Sequence, residues 1–444
     1  MIIKNNFKEN KEENDSHSKF IKEIELSLNI QNKFNDERIN LKTNDNNEQK
    51  NKLVILNSYK LKKNELSELS KEIKENRNFG IDIGRILAIF FIINHHIIYH
   101  GGLLFKTKAL SFDNNFLIFF NTIFCSGVNM FGMISGFVGF RSHKFSNLIY
   151  LLFQTFIYNY GIAFFFKKTR PKIVKDLNNY LYPLFISDYW YFNAYFTMYF
   201  FLPLLNLGIN NMKKREMGIF NLSLFLLFSC FNQIRHYSNR FTKDIFFFMN
   251  GFSYMWLIIL YFYGSYFGRF KNDFHPHKKY VVLFVNLIKL FFIAFIRSFL
   301  IIYKNLYQKN GIQMIVEYTS PSSVIISIYL ITILSKPEIN NKISQKTISF
   351  LAPLTYGVYL IHNHKLVRNY VIKNRYSWIL KSNSVILIIM VMFQSLKIFF
   401  YCSFIDYIRL LFFKILKIKK ICIIISNLFK IIFDKILLFF ELYY

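Results

Sequence analysis

Gly84-Arg-Ile-Leu-Ala-Ile-Phe-Phe-Ile-Ile-Asn-His-His-Ile-Ile-Tyr-His100 places Arg85 and His96 eleven positions apart in one apolar run. A helix turns about 100° per residue, so eleven steps bring the side chain back to within about 20° of its starting direction. The two groups then share a stripe, about 16 Å apart along the axis. Asp82 and His100 fall within about 60° of that stripe, and Asn94 points the opposite way. His95 points about 80° away from it, which suits packing or a supporting contact. A charged side chain in hydrocarbon is expensive, so such residues face a bundle interior, a cavity or an interface. One face of this helix is therefore expected to carry chemistry or a gate, and the other to meet lipid or neighbouring helices.

The composition agrees with a membrane setting. Of 444 residues, 53% are hydrophobic and 20% aromatic, and the mean hydropathy is +0.24. The formal net charge is +30. Residues 1–79 are nearly balanced, with 16 Lys+Arg against 14 Asp+Glu, so the excess, 40 against 12, sits in the hydrophobic part. Cations scattered between apolar segments suit membrane-surface loops and anionic headgroups. They are not read as a nucleic-acid site. Cys125, Cys230, Cys402 and Cys422 lie in apolar runs without metal-like spacing, so neither a disulfide framework nor a metal site is expected.

Residues 1–79 are polar and rich in Lys, Asn and Glu. They are expected to be a disordered cytoplasmic segment with weak helical patches at Phe20–Leu28 and Leu61–Ile73. From Ile83 onward, ten hydrophobic stretches have lengths suited to about 30 Å of hydrocarbon. They fall near 83–101, 115–139, 146–166, 189–207, 217–232, 250–268, 280–302, 321–335, 347–367 and 384–404, the fifth and eighth being short. The fold class expected is all-α, a polytopic transmembrane helical bundle. Ten spans put both termini on one side, and the basic flanks before Ile83 and after Arg409 favour the cytoplasm. Residues 411–444 read as a basic amphipathic tail lying in the interface, with Asn427, Lys430, Asp434 and Glu441 on its polar face.

Ile81-Asp-Ile-Gly-Arg-Ile-Leu-Ala, followed by His95-His96, resembles the opening of the acyltransferase 3 family, integral-membrane enzymes that acylate cell-surface sugars. The family pattern of an arginine, ten residues and a histidine selects His96. Further stretches resemble the family in order: Phe131–Phe137; Tyr189–Tyr195 with Pro203 and Asn206; Gly251–Tyr261 with Gly264; Tyr318–Pro321; Thr355–His362; and Ser403–Arg409. The resemblance covers residues 80–410.

It implies an acyltransferase with no permanently bound cofactor. Acyl-CoA, acetyl-CoA in the first instance, is the expected co-substrate, and a hydroxyl of a surface or lipid-linked saccharide the expected acceptor, at the plasma membrane. His96 is then the general base, because imidazole titrates near neutrality and can take the hydroxyl proton. Arg85 would hold a phosphate or pantetheine carbonyl of the donor with its planar fork; the alternative is an arginine snorkelling to lipid phosphate. Asp82 could pair with Arg85 or cap the helix. Arg141 could meet a CoA phosphate or simply obey the positive-inside rule.

The remaining candidates are supporting ones. His100 could orient substrate or sit at the far interface. Ser135 of Ser135-Gly136-Phe137 could hydrogen-bond across the bundle. Trp190, Tyr191, Tyr195 and Tyr199, and likewise Trp256, fit an interfacial aromatic belt, although aromatic faces could also stack on a sugar. His362 could reach back to a cavity or lie at an interface. A rival reading is a transporter or flippase of lipid-linked sugars, with Arg85 and His96 as a gate or proton relay. It would not consume acyl-CoA.

Overall fold

The computed structural model describes residues 77–141, 144–185, 189–237, 246, 248–271, 279–308, 317–336 and 339–443. The expectations for residues 1–76 lie outside the described residues. The chain divides into two units, Met1–Arg77 and Asn78–Tyr444, and the second holds all the helices named below.

Among the described residues there are helices and turns but no strand. We number the principal helices α1 (Phe79–Tyr99), α2 (Phe112–Phe124), α3 (Gly127–Gly139), α4 (Phe145–Thr169), α5 (Trp190–Asn211) and α6 (Lys214–Phe225). They continue as α7 (Tyr254–Arg269), α8 (Lys279–Gln308), α9 (Pro321–Leu334), α10 (Lys342–Leu351), α11 (Thr355–His362), α12 (Ser384–Ile415) and α13 (Ile418–Tyr443). A helix occupies each of the ten expected stretches, so the protein is an all-α polytopic bundle.

Among the described residues, seven helical segments are long and apolar enough to cross a membrane. The expected sixth, eighth and ninth spans are shorter than the roughly 20 residues a crossing needs. Local chemistry explains why. Ser320 accepts the N–H of Ser323 and Pro321 occupies the first turn, so α9 begins late and has 14 residues. Pro353 lies in a 3-10 turn, Ala352–Leu354, that separates α10 from α11. Asn250 takes a positive φ of 58° just before α7, whose Ser253 cap accepts from Trp256.

The centre of the bundle is α1 with α2 and α3. The most apolar window of the α1 segment is 72% buried and that of α2–α3 is 83% buried, whereas the other candidate spans reach 39% at most. A helix apolar on all sides must be surrounded, and α1 is. The outer helices present Phe295 and Phe299 (α8) or Phe393, Phe400 and Phe404 (α12) outward, as lipid-facing helices do.

Helices α3 and α7 touch through small residues. A Cβ added to Gly264 would stand 1.7 Å from the Met133 carbonyl oxygen, and one on Gly136 would stand 2.0 Å from that of Tyr261. Ser265 donates to both Tyr261 (2.7 Å) and Gly136 (3.2 Å) carbonyls. Bundles in lipid lack a hydrophobic drive between helices, so close backbone approach and hydrogen bonds hold them. Helix α3 runs antiparallel to α1: Gly127 abuts Ala88, and Gly84 abuts Ile134.

A buried ion pair ties α4 and α12 together. Arg409 donates to Asp406 through Nη2 (2.7 Å) and Nε (3.0 Å). The same carboxylate accepts from Gln154 (3.1 Å) and Tyr158 (2.7 Å), while Arg409 Nη1 donates to Tyr150 (2.8 Å). Gly357 brings α11 onto this carboxylate, for a Cβ there would lie 2.0 Å from Asp406 Oδ1. Cutting one partner leaves a buried charge alone. We therefore expect Asp406→Ala to destabilise the bundle by about 3–5 kcal/mol, and Asp406→Leu with Arg409→Met by much less. Thermal unfolding in detergent measures both; equal losses would contradict the pairing.

Candidate active site

Asn78 caps α1, its side chain accepting the Ile81 N–H (3.1 Å) and donating to the Ser335 carbonyl (2.9 Å). Asp82 is therefore not the cap. It is buried and ion-paired with Arg85 one turn on, whose guanidinium remains about one-third exposed. The rest of the stripe runs through Ile89 and Ile92 to His96 along an unbroken helix. Tyr195 of α5 lies within electrostatic reach of Arg85 and packs beside Tyr199 (6.2 Å between ring centroids). Arg141 is exposed in the turn just past the end of α3, the helix antiparallel to α1, and seven residues beyond Ile134. That places it at the Arg85 end of the bundle, with its guanidinium over the Phe140 ring.

His96 borders a partly open cavity of about 50 Å³. Helix α3 contributes Val128 and Phe131, and α5 contributes Trp190 and Tyr191. Tyr356, Tyr359 and Asn363 come from α11 and its end, and Tyr318 from the loop before α9. That loop, Glu317–Ser320, is buried yet not helical. Its backbone is satisfied all the same: Tyr318 donates its N–H to Asn250 (3.0 Å) and accepts from Asn129 (2.8 Å), and Arg297 donates to the Glu317 carbonyl (3.3 Å). Irregular backbone inside a membrane bundle survives where it is wrapped in protein or borders a cavity. Here it does both.

Four histidines gather at this end of α1. The ring of His96 lies 5.1 Å from that of His362, 5.2 Å from His100 and 5.7 Å from His95. His95 is engaged elsewhere, its Nδ1 2.9 Å from Asn121 Oδ1 on α2, which makes it a packing residue. His100 ends α1, half-buried. His362 is fully buried, with Nδ1 2.6 Å from the Val358 carbonyl oxygen.

One expectation changes. Trp256 belongs to no interfacial belt: it is fully buried and donates to Asn129 Oδ1 (3.1 Å). Ser135 donates to the Phe131 carbonyl of its own helix (3.0 Å) and is also hydrogen-bonded to Tyr191 of α5. Trp190, by contrast, stands in the cavity wall, stacked on Tyr318 (6.0 Å) and edge-on to Phe252 (4.6 Å). The structure thus brings Trp190 and His362 to His96, and Asp82 and Tyr195 to Arg85. Ser135 touches the cavity wall through Tyr191, and Arg141 stands apart from both groups.

A half-buried imidazole open to a cavity, with an arginine further along its own helix, suits group transfer between a long anionic donor and a hydroxyl. The family model described as "Acyltransferase domain" (Acyl_transf_3) matches residues 78–402. The chain belongs to the acyltransferase 3 family. It is accordingly an integral-membrane acyltransferase. No curated protein and no solved structure matches it.

The match begins at Asn78, the residue that caps α1, and ends at Cys402, short of Asp406 and Arg409. Tyr318, Tyr356, Tyr359 and Asn363 are cavity residues of this acyltransferase that sequence reading did not single out. Their signal was partly available: positions 356, 359 and 363 follow i, i+3, i+7 spacing and share one helix face. Val128→Phe should place a ring in the cavity. We expect acyl transfer to fall at least about tenfold because a displaced substrate loses its reactive geometry, with little change in unfolding temperature. Unchanged turnover in a correctly folded variant would mean the reaction occurs elsewhere.

Proposed function

We propose that this acyltransferase moves an acyl group, acetyl in the first instance, from acyl-CoA to a hydroxyl of a cell-surface or lipid-linked saccharide. The observation that carries the reading is the α1 stripe. His96 opens on an aromatic-walled cavity at one end, and Arg85, about 16 Å away along the axis, is held by Asp82 at the other.

Arg85 binds a phosphate or a pantetheine carbonyl of the donor. Its pairing with Asp82 fixes the guanidinium plane and leaves donors free at the exposed edge. Arg141, at the same end, adds positive charge for the nucleotide phosphates. The pantetheine arm then runs along α1 and delivers the thioester to His96. The acceptor sugar stacks on the cavity aromatics Trp190, Tyr191 and Tyr318, whose faces suit the apolar side of a pyranose ring.

His96 removes the hydroxyl proton as the oxygen attacks the thioester carbonyl carbon. The C–S bond breaks, an ester forms, and the proton passes from His96 to the departing thiolate. No proton is gained or lost overall. Acyl-CoA is a cytosolic donor, so the Arg85 end faces the cytoplasm of the plasma membrane in this reading, as do both termini.

The test is acetyl-CoA turnover in membranes with and without host glycan, for wild type, His96→Ala and Arg85→Ala. We expect glycan-dependent release of CoA, reduced about 10²–10⁴-fold in His96→Ala by loss of the base. Arg85→Ala should raise the KM for acetyl-CoA by about 10- to 100-fold, the worth of one charge-assisted hydrogen bond. No turnover by the wild type across several acyl-CoAs and glycans would overturn the proposal.

A further inference from the structure

Two ring nitrogens beside the cavity are buried without a hydrogen-bond partner among the described residues: Nδ1 of His96 and Nε2 of His362. Their rings lie 5.1 Å apart, centroid to centroid. A buried polar atom left unsatisfied is unfavourable, and two such atoms in adjoining rings call for an explanation.

The state of His362 follows from its other nitrogen. Nδ1 is 2.6 Å from the Val358 carbonyl oxygen, which can only accept, so Nδ1 carries the hydrogen. Neutral His362 therefore presents Nε2 as a bare acceptor. It is fully buried and does not border the cavity, whereas His96 does. His362 stands behind His96, out of reach of substrate. His95 does not match this place: its ring lies farther from His96 (5.7 Å), and neither of its nitrogens is among the buried unpartnered atoms of the described residues.

We infer that His362 is a positioning residue that sets the tautomer of His96. His96 Nδ1–H donates to His362 Nε2, and His96 Nε2 is left bare toward the acceptor hydroxyl. A small rotation of either ring closes the bond; such contacts are commonly long in a ligand-free site and tighten with substrate. The chain Val358 carbonyl, His362, His96 then does what a carboxylate does behind a catalytic histidine. It orients the base and stabilises the imidazolium that forms when Nε2 takes the hydroxyl proton. That proton goes on from His96 Nε2 to the thiolate sulfur, so His362 ends each cycle unchanged. The inference rests on the reading of His96 as base.

It is tested on full-length protein with ¹⁵N-histidine labels by solid-state NMR, alongside turnover of acetyl-CoA with octyl β-D-glucoside as saccharide acceptor. The resonances lost in His96→Ala identify His96. They should report the Nδ1–H tautomer in wild type and in His362→Gln, whose side-chain carbonyl still accepts, and the Nε2–H tautomer in His362→Leu. In turnover, His362→Leu should lose about a hundredfold in kcat with the KM for acetyl-CoA unchanged, and His362→Gln should recover most of the loss.

Finding His96 as the Nε2–H tautomer in wild type would overturn the inference. So would a His362→Leu enzyme within about twofold of wild-type kcat, or one whose loss is no better recovered by Gln. A wild type that shows the expected tautomer but turns over no acetyl-CoA with any acceptor would sink the acyl-transfer reading instead, since the NMR result does not depend on it.

Discussion

Hydrocarbon offers no hydrogen bond to a charge or a bare amide, so a polar group inside a membrane bundle is costly unless it finds its partner in the protein. That constraint explains why the polar residues occur in sets. Asp406 and Arg409 come with Gln154, Tyr158 and Tyr150. Asp82 comes with Arg85. The buried loop before α9 comes with Asn129, Asn250 and Arg297. The first and last of these sets also join helices that are distant in sequence, whereas the Asp82–Arg85 pair lies within α1. Satisfaction of buried polarity and construction of the active site are therefore one physical problem here.

The same constraint marks the exceptions. Where a buried nitrogen has no partner, as on His96 and His362, the bundle has left capacity for a proton or a substrate. The three shorter helices, α7, α9 and α11, each begin at a cap, a proline turn or a positive φ; α11 carries Tyr356 and Tyr359 into the cavity wall, and the loop before α9 carries Tyr318. Their ends create irregular backbone, and irregular backbone near a cavity supplies both groups and room that an unbroken 20-residue span cannot. The buried centre is α1 with α2 and α3, so His96 is mounted on one of the two most deeply buried segments. A base held within a fraction of an ångström of its working position is what group transfer requires.

Much of this was legible in the chain. The stripe from Asp82 to His96 follows from helical periodicity alone, and the helix is continuous as read. The ten hydrophobic stretches are all helices, and the family-like segments identified the correct protein class. What periodicity could not show is which helices meet. Trp256 read as an interfacial aromatic because burial is a tertiary property; only its bond to Asn129 reveals an interior residue. Likewise Asp82 could have been cap or ion-pair partner, and Asn78 decides the matter by taking the cap. Tyr318, Tyr356, Tyr359 and Asn363 arrive at His96 from more than 200 residues away. Asp406 and Arg409 stood in a quoted family-like stretch without a role, since their partners lie on α4.

The central claim is that acyl transfer occurs in the cavity beside His96. The most direct measurement is photo-crosslinking with an acyl-CoA that carries a diazirine in its acyl group, followed by mapping of the modified peptides. Our account predicts labels on Trp190–Tyr191, on Tyr318 or on Tyr356–Tyr359, and competition by unlabelled acetyl-CoA. Competed labels confined to helices that do not border this cavity would contradict it.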